Sequence, residues 1–296
     1  MLVEVTNCQL CPRNCHVNRS KEKGFCMAPD KIKIARADLH YFEEPCLTGK
    51  TGSGTIFFSH CNLGCLFCQN YQISLEDYGQ EISIEKFSEI CLELQRKKAS
   101  NINLVTPTMY VPWIVEGLKK AKEKGLKIPI VYNSSGYENV STIKSLKGLI
   151  DIYLPDLKYQ NDFYARKYSK CPNYFKYAKE VIEEMYKQVG KPKFKNGLMT
   201  KGVIVRHLVL PGHINDSKNI ISYLYNTYKD NIYISIMNQY TPVRTLKYES
   251  LNRTVTDQEY DEVINFAYDL GVRKAFMQVG QTQKTSFIPD FKNSKI

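Results

Sequence analysis

The chain has 296 residues, of which 43% are hydrophobic and 24% are charged, and these are ordinary values for a globular protein. They exclude a disordered, collagen-like or coiled-coil chain, and no apolar run approaches the ~18 residues of a membrane span. The formal net charge of +11 is spread over short basic runs interleaved with glutamates, which favours a solvated basic surface over a nucleic-acid site. The polar N-terminus does not resemble a signal peptide, so we expect a cytoplasmic protein with no membrane partner.

Residues 1–53 contain no long amphipathic segment and are predicted to form a small cysteine-rich N-terminal module. Its clustered cysteines indicate metal ligands, because cytosolic thiols rarely pair as disulfides. Four of them follow the spacing C-x2-C-x3-C-x10-C: Cys8, Cys11, Cys15 and Cys26. Both a closed zinc site and a second iron–sulfur cluster fit four thiolates, and zinc is favoured because it would hold together a module that lacks a core. His16 and Cys46 are spare candidate ligands, and Glu43 and Glu44 are expected near the mouth of the functional site.

From residue 54 onward, short β-rich runs alternate with stretches whose apolar residues recur at three- and four-residue spacing. This alternation predicts right-handed crossover units and a parallel sheet. The predicted strands are 55–60, 102–106, 128–133, 150–154, 202–210, 232–237 and 274–279, and the predicted helices are 83–99, 111–125, 139–148, 174–190, 216–229 and 256–271. We therefore predict an α/β fold, a partial (β/α)6-type TIM barrel over residues 54–296, with its chemistry at the carboxyl ends of the strands.

Directly after the first predicted strand comes the spacing C-x3-C-x2-C, formed by Cys61, Cys65 and Cys68. Three thiolates on one loop can ligate three irons of a [4Fe–4S] cube, which leaves the fourth iron open. An open coordination position is typical of a reactive metal site rather than a structural one. The alternative is a zinc site completed by His60.

The triplet resembles the defining C-x3-C-x-aromatic-C motif of the radical S-adenosylmethionine (SAM) superfamily, with Phe67 in the aromatic position. The segments GTIFFSHCNLGCLFCQNY, DIYLPDLKY and VIVRHLVLPGHINDS are similar to the enzymes that activate pyruvate formate-lyase and other glycyl radical enzymes. The resemblance implies that the open iron binds SAM and that one electron cleaves it to a 5′-deoxyadenosyl radical, which abstracts hydrogen from a substrate. It also implies a protein substrate, namely a glycyl radical enzyme, and an electron donor such as flavodoxin or ferredoxin.

The resemblance also implies which side chains contact SAM. Phe67 is expected near the adenine. Asp156 and Lys158 match residues that meet the ribose hydroxyls and the methionine end of SAM. The alternative is that Asp156 and Lys158 form only an ion pair at the end of a strand. The other implied contacts are Arg206, Gln239 and the polar turn Asn133, Ser134 and Ser135.

One stretch departs from the family pattern. Most members carry Gly-Gly-Glu after the second strand, where its backbone binds the amino group of SAM, whereas this chain has Val105-Thr106-Pro107-Thr108. Backbone carbonyls and the hydroxyls of Thr106 and Thr108 are acceptors that an ammonium group can use, so these residues are the predicted replacement.

Two further functions fit the same motifs. One is radical modification of a peptide or a small molecule on the same scaffold. The other, from a different class of protein, is a non-catalytic, metal-bearing module that binds nucleic acid through its basic surface. Production of 5′-deoxyadenosine from SAM separates the enzyme from the binding module.

Overall fold

A computed structural model describes residues 3–278, 289 and 291. The strands are β1 Ile32–His40, β2 Ser53–Phe58, β3 Gln80–Ile82, β4 Ile102–Val105, β5 Ile130–Ser134, β6 Ile152–Pro155, β7 Lys193–Lys195, β8 Leu198–Leu208, β9 Tyr233–Met237 and β10 Ala275–Met277. The α-helices are α1 Val3–Thr6, α2 Pro45–Thr48, α3 Tyr71–Leu75, α4 Ile84–Arg96, α5 Val111–Glu123, α6 Val140–Lys144, α7 Asp162–Ser169, α8 Tyr174–Val189, α9 Ile214–Tyr228 and α10 Asp257–Leu270.

One sheet runs through the molecule in the order β10-β9-β8-β6-β5-β4-β2-β1-β3, with β7 paired to β8. Along this order, neighbouring strands from β10 to β2 are parallel. β7 is antiparallel to β8, and β1 is antiparallel to both β2 and β3. The prediction of an α/β fold with a partial (β/α) barrel is therefore confirmed. The last predicted strand, 274–279, is observed as β10, and residue 279 lies outside the described residues.

Capping residues mark the ends of the helices. Ser83 accepts a hydrogen bond from the Lys86 amide at the start of α4. At α10, Thr256 and Glu259 form a reciprocal capping box, and Gly271 ends the helix with φ 104°. None of the helices in the described ranges is both long and apolar enough to cross a bilayer.

The predicted N-terminal module contains a strand that the sequence pattern did not reveal. β1 pairs with β2 from Ile34↔Phe58 to His40↔Ser53, so it extends the barrel sheet by one antiparallel strand. The cysteine-rich segment before it packs on α6, where Thr142 Oγ1 donates to the Leu10 carbonyl across 2.7 Å. The boundary at residue 53 stays a prediction, with main-chain pairing between β1 and β2 running across it.

Alternation along the strands positions the functional site. Successive side chains of a strand point to opposite faces, and one face of β5, β6 and β8 packs with α2 into an apolar cluster: Cys46, Leu47, Val131, Ile152, Leu154, Met199 and Ile204. Two residues further along the same strands come the polar side chains Asn133, Asp156 and Arg206. A polar layer therefore lies next to this cluster, on the side of the strands' carboxyl ends.

Candidate functional site

The three motif cysteines lie on the loop between β2 and α3, and this loop is anchored to α7. The Gly64 amide donates to the Ser169 carbonyl across 3.0 Å, and the Leu66 amide donates to the Tyr168 carbonyl across 2.9 Å. Ser169 Oγ also donates to Cys65 Sγ across 2.9 Å. These hydrogen bonds position the loop at the carboxyl end of β2.

The chemistry of the three thiols fits an iron–sulfur cube. Burial raises the pKa of Cys61 well above its ordinary value and that of Cys65 to about 11, although Lys158 opposes the rise at Cys65. Burial therefore favours the protonated form of Cys61 and Cys65, and metal binding has to displace these protons. Within the described ranges, no three His, Cys, Asp or Glu side chains converge on one ion. A cube does not need such convergence, because each thiolate binds a different iron.

His60, the alternative zinc ligand, is engaged elsewhere. Its Nε2 lies 3.0 Å from Asp77 Oδ1, and burial lowers its pKa to about 4. The ring is therefore neutral at physiological pH, and it faces a carboxylate.

A buried network of charges joins the carboxyl ends of β5, β6 and β8. Asp156 lies 2.6 Å from Lys158 Nζ and 3.0 Å from Arg206 Nε. Arg206 Nη2 donates to Asn133 Oδ1 across 2.6 Å. Burial by itself would raise the pKa of Asp156, but the two cations outweigh it and hold that pKa below its ordinary value. Asp156 therefore stays ionised and keeps both cations oriented.

Lys158 connects this network to the thiol loop. Burial would lower its pKa, but Asp156 and Cys65 raise it above the ordinary value. An ammonium group has three hydrogens to donate, and one of them is directed at Asp156 Oδ2. The charged network and the cysteines predicted as metal ligands are thus one site.

The acidic pair before α2 lies inside this site. Glu43 Oε2 is 3.3 Å from Arg206 Nη1, and Glu43 Oε1 accepts a hydrogen bond from Asn103 Nδ2 across 3.0 Å. Burial raises the pKa of both Glu43 and Glu44, and Arg206 opposes the rise. Glu43 was expected near the mouth of the site, whereas Asn103 was missed because a lone Asn inside a β-rich run carries no sequence signal.

The turn that replaces Gly-Gly-Glu is held by a glutamate that sequence reasoning also missed. Thr106 has φ 59°, and its amide donates to the Asn133 carbonyl across 2.9 Å. Thr108 Oγ1 donates to Glu138 Oε1 across 2.7 Å. Glu138 is completely buried, and burial raises its pKa to about 7. Its position in NSSGYE, just after a predicted strand, was the available signal.

The remaining polar turn lies beside these groups. Ser134 accepts from the Asp156 amide through its carbonyl across 2.8 Å, and Ser135 Oγ donates to Asn62 Oδ1 across 3.3 Å. Asn62 follows the first motif cysteine. The predicted residues of β5 and its turn are therefore in contact with both β6 and the thiol loop.

Phe67 and Gln239 lie together at the end of β9. The buried Phe67 ring is 5.7 Å from the ring of Tyr240. The Gln239 carbonyl accepts from Gln69 Nε2 across 2.8 Å, and Gln239 Oε1 accepts from Gln278 Nε2 across 2.9 Å. Phe67 thus lies on the thiol loop itself, and Gln239 is bonded to Gln69 directly after it.

The four N-terminal cysteines form a separate group. They line one small cavity together with other residues of the same segment, including Arg13 and Arg19. The spare candidates do not join them as expected: His16 is exposed, with Nδ1 2.9 Å from Asn7 Oδ1, and Cys46 packs in the apolar cluster of the barrel.

Comparison with known proteins identifies the family. The sequence profile of the Radical SAM superfamily matches residues 55–224. The uncharacterized protein MJ0674 of Methanocaldococcus jannaschii is 32% identical over 273 residues, which cover 88% of this chain and 74% of that protein.

Two solved structures share the fold. SuiB from Streptococcus suis, solved with bound S-adenosylmethionine, has a TM-score of 0.52 at 11% identity, over 75% of this chain and 49% of that one. HydG, a maturase of the [FeFe]-hydrogenase, has a TM-score of 0.52 at 14% identity, over 77% of this chain and 51% of that one. The chain thus spans about half the length of each. Together with the thiol motif, the profile match and the relative show that this chain belongs to the radical SAM superfamily, whose members use a [4Fe–4S] cluster and SAM.

Proposed function

We propose that this radical SAM enzyme abstracts a hydrogen atom from a protein partner, namely the backbone glycine of a glycyl radical enzyme. The observation that carries the catalytic half of the proposal is the electrostatic interaction of Lys158, which is paired with Asp156 beside Arg206, with Cys65 of the motif loop. When bound, the cluster and SAM supply one-electron cleavage of the sulfonium and the hydrogen abstraction that follows from it.

Each group of this chain then has a defined task. Cys61, Cys65 and Cys68 would ligate three irons. Lys158 stays protonated because Asp156 and Cys65 raise its pKa, so it has hydrogens left to donate to a carboxylate of SAM. Asp156 stays ionised and accepts hydrogen bonds from hydroxyl groups.

The surroundings keep these groups oriented and dry. Arg206 is held by three acceptors on different parts of the chain: Asp156, Asn133 and Glu43. The apolar cluster around α2 packs next to this network. Electrostatic interactions are stronger where water is excluded. Because its partners already hold Arg206 in place, the network needs little rearrangement when a charged ligand binds.

Support for a glycyl radical enzyme as the partner comes from the three sequence segments that resemble the activating enzymes. They span β2 to the start of α9 and include Asp156, Lys158 and Arg206 as well as the motif cysteines. An electron donor of the flavodoxin or ferredoxin class belongs to the same proposal.

Anaerobic turnover of the reconstituted full chain tests the proposal. With dithionite and SAM, we expect formation of 5′-deoxyadenosine and methionine, which the variant C61A/C65A/C68A abolishes. The matched control is Cys91→Ala, a buried thiol on α4. A partner labelled with α-deuterated glycine should transfer deuterium to the 5′-deoxyadenosine. Turnover without deuterium transfer refutes the glycine partner, and a zinc-only protein that leaves SAM intact refutes the enzyme.

A further inference from the structure

Thr106, directly after β4, has a backbone conformation that its own sequence disfavours. Its φ of 59° lies in the left-handed region, which is unfavourable for a residue with a Cβ. Threonine is branched at Cβ, and a residue that precedes a proline, as Thr106 precedes Pro107, prefers extended backbone. In the described part of the chain, no other residue that is branched at Cβ has a positive φ. Contacts with other residues therefore have to hold this conformation.

Two hydrogen bonds connect the turn that contains Thr106 to β5 and the residues after it. The Thr106 amide donates to the Asn133 carbonyl across 2.9 Å. Two residues later, Thr108 Oγ1 donates to Glu138 Oε1 across 2.7 Å. Thr108 and Glu138 are both buried, with 1% and 0% of their surface exposed, so solvent does not compete for the second bond. The first bond joins two main-chain groups, which makes Glu138 the side chain that holds the turn.

The carboxyl of Glu138 is itself fixed in place. It also hydrogen-bonds with the Ser134 side chain at the end of β5, and β5 pairs with β4 up to Val105↔Asn133. Burying a carboxyl is costly, and an apolar side chain would fill the same space, so the distinctive contribution of Glu138 is an acceptor for Thr108. Burial raises its pKa to about 7, and Oε1 can accept a hydrogen bond whether the group is protonated or ionised.

We propose that Glu138 is a positioning residue for SAM, because it holds Thr106 in the left-handed conformation through Thr108. Residues 105–108 stand where most members of the superfamily carry Gly-Gly-Glu, and glycine adopts a positive φ without strain. This chain reaches a positive φ with a threonine and a contact from the neighbouring strand instead. The conformation of Thr106 sets the direction of the carbonyl groups predicted to accept hydrogen bonds from the amino group of SAM. The role of Glu138 rests on the proposed function, since SAM is the ligand.

A double-mutant cycle on the anaerobically reconstituted full chain tests this role, with the dissociation constant of SAM measured by calorimetry in the absence of reductant. Glu138→Leu removes the acceptor for Thr108, so Thr106 relaxes and SAM has to restore the strained conformation when it binds. We expect this variant to bind SAM roughly 5- to 150-fold more weakly than the wild type. In a Thr106→Gly background the same substitution should weaken binding by no more than about threefold, because glycine adopts the conformation without strain.

Each of these ratios compares two chains with the same residue at position 106, so the loss of the Thr106 hydroxyl cancels. Equal losses in the two backgrounds overturn the role of Glu138, as does wild-type affinity in Glu138→Leu. Glu138→Gln keeps an acceptor for Thr108 and should bind SAM within about threefold of the wild type; a Gln variant as weak as the Leu variant overturns the role as well. Thr108→Val removes the other partner of the bond, and it gives the same cycle if Glu138→Leu fails to fold.

Urea unfolding of the reconstituted chain without SAM tests the strain separately. Thr106→Gly should raise the urea midpoint, and a lower midpoint overturns the inference. The matched control is Lys98→Gly, at an exposed position after α4 with φ 62°, which should also raise the midpoint but leave the affinity for SAM unchanged. A wild type that binds no SAM refutes the proposed function. A wild type that binds SAM, combined with equal losses in the two backgrounds, refutes only the role of Glu138.

Discussion

Glu138 is completely buried, and its Oε1 accepts a hydrogen bond from Thr108 Oγ1 across 2.7 Å. Its Oε2 has no hydrogen-bond partner within the described part of the chain. Burial raises the pKa of Glu138 from its ordinary value of 4.5 to about 7, and hydrogen bonds with Thr108 and Ser134 oppose the rise. Replacing Glu138 with Gln keeps an acceptor for Thr108 and removes the titrating group.

The magnitude follows from linkage. Between pH 4.5 and about 7 the folded chain holds a proton that the unfolded chain has already released, so the free energy of unfolding falls as the pH rises through this window. Each unit of pKa difference corresponds to ~1.4 kcal/mol, which makes the full penalty roughly 3 kcal/mol above neutral pH. Below pH 4.5 the carboxyl is protonated in both states, and the penalty vanishes.

Urea unfolding of the full chain under anaerobic conditions measures this effect. We expect Glu138→Gln to gain stability over the wild type by up to about 3 kcal/mol between about pH 5 and about pH 8. Glu89→Gln, at an exposed position of α4, is the control and should follow the wild type at every pH. Parallel stability curves for the wild type and Glu138→Gln would show that the carboxylate is already ionised when folded, and the reasoning would be wrong.

Three further substitutions test the site. Asp156→Asn leaves Lys158 and Arg206 without their shared carboxylate. This change should cost ~3–5 kcal/mol of folding stability and weaken SAM binding. An unchanged melting temperature and SAM affinity would contradict the role given to the charged network. In Gly136→Ala, the new residue has to adopt φ 73° with its Cβ 2.5 Å from the Asp156 carbonyl oxygen. Thermal unfolding should therefore show a loss of folding stability of at least ~1–3 kcal/mol. Wild-type stability of this variant would contradict the reasoning. Ser169→Ala removes the hydrogen bond to Cys65 Sγ and should lower the reduction potential of the cluster in a redox titration; an unchanged potential would show that the bond does not affect it.

The barrel could be predicted because its signals are local. The helices α4, α5, α8, α9 and α10 follow from apolar residues at three- and four-residue spacing, and the parallel strands follow from short β-rich runs between them. β1 was missed because it belongs to a segment in which turns and cysteines dominate. Its pairing with β2 is a long-range choice that no local pattern records.

The functional site was likewise predictable only where its signals are local. Its thiols and most of its charged residues stand at the ends of predicted strands, where a parallel barrel gathers them. Glu43 could be named as a neighbour of the site, but its contact with Arg206 joins residues 163 positions apart. Glu138 was missed as a functional residue, because its position after a predicted strand is a weak signal and its importance comes from burial.

The sequence by itself determined the cysteine motif of the iron–sulfur site and the fold class, since cysteine spacing and the periodicity of apolar residues are properties of neighbours along the chain. Only the tertiary structure decided which groups share a site: it brought Lys158 to the motif cysteines, placed Asn62 between the two groups of cysteines, and sent Cys46 into the apolar cluster of the barrel. Packing of this kind is set by the free energy of the whole chain, and the spacing of a few residues does not contain it.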